Sequence, residues 1–196
     1  MLFIRIILIL AALSLTGTVF ANQPKEIKQT NITGEKFTIS WITDTLGTAA
    51  ISYGQGTNSI NLLAADNRLS TTHHVTIPEG LSPNTKYYYD IISGGMIDDN
   101  QGQHYRIITG SSINSQGSDM VHGDIYRADG YTAAEGAMVY VRINDLDNKG
   151  SQGSSSEWSA VVGSNSTWFI ELRNVRTNDL SGFFDYSPSG DSLSIF

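Results

Sequence analysis

Leu81-Ser82-Pro83-Asn84-Thr85-Lys86-Tyr87, continued by Tyr88-Tyr89-Asp90-Ile91-Ile92, decides the fold. Ser-Pro-Asn is turn chemistry, because proline presets φ and asparagine bonds its own backbone and tolerates a left-handed conformation. The aromatic and β-branched run after it is strand chemistry, with Tyr87, Tyr89 and Ile91 on one face. In a β-sandwich, a tyrosine at such a corner bonds its hydroxyl to backbone a few residues upstream, closing one end of the core without leaving the hydroxyl unpaired. Tyr87 is expected to do this, with Leu81 and Pro83 shaping the corner.

Outward from the corner, the chain reads as short strands separated by turns. Residues 35–41 alternate apolar with polar, which sends Phe37, Ile39 and Trp41 inward and their neighbours toward water. Residues 49–54 form the next strand, ended by Gly54-Gln55-Gly56, and 71–77 another, with His73, Val75 and Ile77 on one face. A loop through Gly94, Gly95 and Asp98-Asp99-Asn100 precedes a last strand over 104–109. Regular spacing without helical periodicity indicates an all-β sandwich.

Trp41, Tyr53-Gly54, Thr72-His73-His74-Val75, Leu81-x-Pro83-x-x-x-Tyr87 and the closing run from Tyr105 to Thr109 occur in an order that resembles a fibronectin type III domain over residues 24–110. The variant it most resembles is the one in front of the catalytic domain of purple acid phosphatases. That sandwich also occurs in unrelated extracellular proteins, and the fold alone implies no chemistry.

Residues 111–118 are polar and rich in Ser and Gly, a composition that cannot order itself, so a linker with some freedom between two halves is expected there; a long interstrand loop is the alternative. Beyond it, strands are expected over 121–126, 138–143, 158–162 and 168–172, with shorter pieces at 183–186 and 193–196. Gly123-x-Ile125, Asp129-Gly130 and Gly136-Ala137-Met138-Val139-Tyr140-Val141 resemble the carboxypeptidase regulatory-like domain, a transthyretin-like sandwich appended to many secreted proteins. The chain stops at Phe196 directly after an apolar strand, which leaves room for one missing strand. The expected fold class is therefore all-β, two tandem Ig-like or fibronectin type III-like β-sandwiches, with a signal peptide at 1–21, the first sandwich at 22–110, a linker at 111–118 and the second, incomplete sandwich at 119–196.

Residues 1–21 hold Arg5, the apolar run 6–15 and a small residue, Ala21, at the cut, which reads as a cleaved signal peptide; an uncleaved anchor would need a longer apolar run. Export to the periplasm, the cell surface or the medium follows, with no membrane span after cleavage. Cysteine is absent, which excludes disulfides and thiolate metal sites. A formal net charge of -7 with only 12 Lys and Arg repels nucleic acid rather than steering it in.

Candidate chemistry is sparse. Gly123-Asp124-Ile125-Tyr126 resembles one metal-ligand block of purple acid phosphatases, but neither an Asp-x-Gly block before it nor a Gly-Asn-His block after it is present, so a two-metal site lacks its ligands. Asn144-Asp145-Leu146-Asp147-Asn148-Lys149-Gly150 resembles the start of a calcium loop, making Asp145 and Asp147 candidate Ca²⁺ ligands. Lys149 stands where a third oxygen is wanted, and Glu157 lies one place beyond the usual closure. A solvated hairpin loop is the competing reading. His73 and His74 point to opposite faces, one to a core edge and the other to solvent, and the serines between 151 and 166 read as flexible surface without a His-acid partner set. Trp41, Trp158 and Trp168 sit at strand positions that favour the core over a sugar platform. Together these features lead to the expectation of a non-catalytic exported module, without a resident cofactor, that binds an extracellular protein or glycan or supports a larger assembly. The alternatives are the accessory region of a metal-dependent phosphatase and a carbohydrate-binding module.

Overall fold

The computed structural model describes residues 22–114 and 117–196; residues 1–21, expected as a signal peptide, lie outside them. Among these residues every regular element is a β-strand except one 3₁₀ turn at Leu172–Asn174, and no helix is long and apolar enough to cross a membrane. The first six strands are β1 (Lys25–Thr30), β2 (Phe37–Gly54), β3 (Leu62–Ile77), β4 (Lys86–Ser93), β5 (Met96–Asp98) and β6 (Tyr105–Ile108), and they form one curled antiparallel sheet.

Residues 35–41 and 49–54, expected as two strands, merge from Phe37 onward into the single long β2, and 71–77 is the end of the nearly as long β3. Their pairing slips between Ile42 and Gly47 and again before Ala49. There the sheet bends sharply: a Cβ at Gly47 would stand 3.1 Å from the Gly94 backbone, so glycine permits the close approach. The first part of β2 pairs β1 and the end of β3, with Ile39 opposite Gln29 and Val75. The second part pairs the start of β3 and β4, with Ile51 opposite Ala64 and Ile91.

The curl lays one part of the sheet over the other. Phe37 packs on Tyr87 and Tyr89 at ring centroid distances of 6.5 and 6.2 Å, while Tyr53, on the same strand as Phe37, stands opposite Tyr89 in the β2–β4 ladder. Phe37, Ile39, Trp41, Ile51, Tyr89 and Ile91 are fully buried between the layers. Each such side chain contributes about 1.5–3 kcal/mol of burial. At the corner, the Tyr87 hydroxyl accepts from the Ser82 N–H at 2.9 Å and from Gln55 Nε2 at 3.1 Å. Leu81 closes the core beside it, the Pro83 carbonyl accepts from Thr85 Oγ1, and Asn84 takes a left-handed φ of 49°.

A second apolar cluster lies between two smaller antiparallel sheets. β7 (Met120–Asp124) pairs β10 (Thr167–Glu171), and β8 (Met138–Asn144) runs between β9 (Trp158–Val161) and β11 (Ser192–Ile195). Val139, Val141, Ile143, Val162, Trp168, Ile170, Val175 and Phe184 fill the space between them. Gly123 lies under the Trp168 indole, whose nitrogen would stand 3.0 Å from any Cβ there. Residues 183–186, expected as a short strand, contribute only an isolated bridge between Phe183 and Arg176.

One sequence expectation fails instructively. Thr38 and Ser40, placed toward water by the alternation of β2, are fully buried, as is Thr30 on β1. The outer face of the first sheet is covered by β8 and β9 of the second half.

Candidate functional site

The most elaborated polar constellation is the seam between the halves, and Ser159 on β9 is its hub. Its hydroxyl lies 2.6 Å from Thr30 Oγ1, 2.8 Å from His74 Nε2 and 3.3 Å from Asn31 Nδ2. Asn31 clasps the backbone of the same residue: its Oδ1 accepts from Ser159 N at 2.8 Å and its Nδ2 donates to Ser159 O at 3.0 Å. The side-chain amide thus replaces the next strand of a ladder. Its backbone sits at φ 53°, a left-handed value that asparagine adopts more readily than most residues. Ser40 Oγ meets the Tyr140 hydroxyl at 3.0 Å, and Thr72 Oγ1 donates to Gly136 O at 2.6 Å.

Charge reinforces this contact. Lys28 Nζ reaches Glu157 at 3.0 Å, lies 4.1 Å from the Tyr140 ring centre and 4.8 Å from that of Phe196, and Arg142 holds the other Glu157 oxygen at 2.9 Å. Glu157 is therefore committed to the seam through both carboxylate oxygens. At the start of the 111–118 segment, expected as a linker, Ser111 N donates to Leu180 O; residues 115–116 lie outside the described set.

Both histidines are drawn inward. His73 is buried, stacks on Trp41 at 5.0 Å and lies 3.1 Å from Thr43 Oγ1. His74 faces the seam because the second half covers that side of β3, so neither of the pair takes the solvated position expected for one of them. Burial pushes the His74 imidazole down to about 4, and its Nε2 lies 2.8 Å from the Ser159 hydroxyl. The serines read as flexible surface are also partly structural: Ser155, Ser156, Ser159 and Ser166 are buried. Neither Asn31 nor Ser159 was singled out by motif. The available signal was a strand face of Thr38, Ser40, Thr72 and Thr76, hydroxyls without charge, where a solvated sheet ordinarily carries charged side chains.

The acidic loop gathers a third carboxylate. Asp145, Asp147 and Asp191 each place one oxygen within 4.8 Å of the others. β11 pairs β8 with Ser192 opposite Asn144, which sets Asp191 beside Asp145. These oxygens already have work within the loop. Asp145 Oδ1 accepts from the N–H groups of Asp147 and Asn148, Asp147 Oδ1 from Lys149 N, and Asp191 from Ser187 N and Leu146 N. Those last two bonds hold the Asp191 carboxyl below its ordinary pKa. Lys149 Nζ stands 3.4 Å from Asp147. One oxygen from each acid falls short of the roughly six to eight that Ca²⁺ takes.

The remaining candidates disperse. Asp124 accepts from Thr167 Oγ1 and lies on an exposed position of β7 beside exposed His122, and Tyr126 is half exposed. Trp41, Trp158 and Trp168 are all buried, whereas Tyr131, at the tip of the 127–132 turn, is 79% exposed. No protein-family model and no curated protein matches this chain, so its function has to be read from its own geometry.

Proposed function

We propose that this chain is a non-catalytic, exported binding and spacing module, a fibronectin type III-like sandwich followed by a carboxypeptidase regulatory-like one, held in fixed relation by the Asn31–Ser159 seam. The seam carries the reading. A buried network of hydroxyls, an amide clasp and a shared carboxylate on an otherwise outward strand face fixes one half on the other, which suits a protein that presents surfaces at a set distance. The pairing pattern of β1 to β6, in which β2 and β3 each contribute to both layers, supports the first assignment. An exposed Tyr131 keeps glycan among the binding partners to be tried. The reading is tested by assaying phosphate and carboxylate esters with added Mn²⁺, Zn²⁺ or Fe³⁺. No turnover is expected, and hydrolysis that disappears in Asp124→Asn would overturn it.

A further inference from the structure

Where the chain leaves the first half, a cavity of about 360 Å³ is bounded by Gly34, Lys36, Glu79, Asn114, Trp158 and Arg176. Arg176 is only 4% exposed, and its guanidinium lies 4.5 Å from the Phe183 ring centre. Among the described residues none of the ion pairs includes it, and burial alone pushes its pKa down. Among the described residues, four buried side-chain atoms lack a hydrogen-bond partner: Arg176 Nε and Nη1, Trp158 Nε1 and Ser156 Oγ. They belong to one neighbourhood, since Ser156 N donates to Arg176 O at 2.8 Å and Trp158 shares the cavity wall with Arg176. Three of the four are N–H groups that can only donate. A buried cation and an indole N–H without acceptors, carried by two residues that line one cavity, are complementary to an oxyanion.

We propose that this cavity binds a small monovalent carboxylate, whose oxygens accept from Arg176 and from the Trp158 indole N–H. A single charge is favoured because Lys36 is already paired with Glu79 at 3.0 Å, and Glu35 also lines the wall, so a divalent phosphate meets more repulsion than a carboxylate. The proposal deepens the reading of the chain as a binding module and rests on it; turnover of esters tests that reading, and anion titration tests this one.

The test titrates the full chain with sodium acetate, sodium glucuronate, sodium phosphate and, as a control of ionic strength, sodium chloride, reading heat and the unfolding midpoint. Acetate or glucuronate is expected to bind saturably and raise the midpoint, since a ligand of the folded state stabilises it. Trp158→Phe, which keeps an aromatic ring and removes the N–H, is expected to weaken binding about tenfold. Arg176→Met is expected to abolish binding while leaving the unliganded midpoint unchanged or higher, because an apolar side chain replaces an unpaired buried charge. Responses identical to chloride, tighter binding of phosphate than of either carboxylate, or retained binding in Arg176→Met would each overturn the proposal. So would an unliganded Arg176→Met midpoint that falls, matched by a fall in Glu35→Gln, since Glu35 would then be the partner.

Discussion

Tyr87 joins two demands that usually conflict, a large ring in the core and a hydroxyl that needs a partner. Its ring is 3% exposed, and its hydroxyl accepts from Ser82 N and Gln55. Tyr87→Phe keeps the ring and removes only the acceptor, so the expected cost is about 1–2 kcal/mol in urea unfolding with an unchanged fold; a neutral substitution would show that the corner is held by Pro83 and Leu81 alone. His74 supplies a pH dependence at the same scale. Its folded value of about 4 lies below the roughly 6.5 of free imidazole, so the unfolded chain takes up a proton that the native state resists. The contribution is fully present above about pH 6.5 and is lost as the pH falls, approaching roughly 3 kcal/mol at pH 4. Asp66 works against this depression, Arg68 works with it, and buried His73 is shifted in the same direction. His74→Gln should therefore flatten, without abolishing, the fall in unfolding free energy between pH 7 and pH 4; an unaltered slope would place the titrating group elsewhere.

At the scale of strands, the sequence was most readable where local chemistry decides the outcome. The turn and alternation around residues 81–91 follow from proline, asparagine and a two-residue side-chain period, and Phe37, Ile39 and Trp41 lie in the core for the same reason. Alternation names the two faces of a strand but not what lies against the far one, so the burial of Thr38, Ser40 and His74 depends on chain more than eighty residues downstream. Similarly, the bend that makes one strand of residues 37–54 follows from pairing with both β3 and β4, and Asp191 enters the acidic loop only through the pairing of β11 with β8. That loop yields its own prediction. Because the three carboxylates are already held by backbone N–H groups and by Lys149, saturating Ca²⁺ is expected to leave the unfolding midpoint within about a degree, whereas Asp191→Ala should lower it by releasing Leu146 N and Ser187 N. A calcium-dependent rise that Asp145→Ala with Asp147→Ala removes would make the loop a cation site instead.

For the whole molecule, the decisive quantity is the coupling between two cores that share no apolar side chain. Independent cores joined by a polar linker would melt separately, as linked domains with small polar contacts do. Here the contact holds buried hydrogen bonds from Thr30 and Ser40 and partly buried ones from Asn31 and Thr72 in addition to the Lys28–Glu157 pair, 14–35% exposed at its side chains. At about 1 kcal/mol for each of these hydrogen bonds, the coupling is on the order of 4 kcal/mol, comparable with the stability of a small domain. One calorimetric transition is therefore expected, with equal calorimetric and van't Hoff enthalpies. Asn31→Gly combined with Ser159→Ala removes the clasp and the hub, and glycine keeps the left-handed backbone at position 31 accessible, so the loss reflects the side chain rather than strain. This double variant is expected to divide the transition in two and to open the 111–118 segment to protease, while each core keeps its strands. If the native chain already melts in two steps, the seam is too weak to fix the halves and the spacing role fails; if the double variant still melts in one, the coupling resides in the Lys28–Glu157–Arg142 group and the Thr72–Gly136 bond, which Glu157→Gln with Thr72→Val would then uncouple.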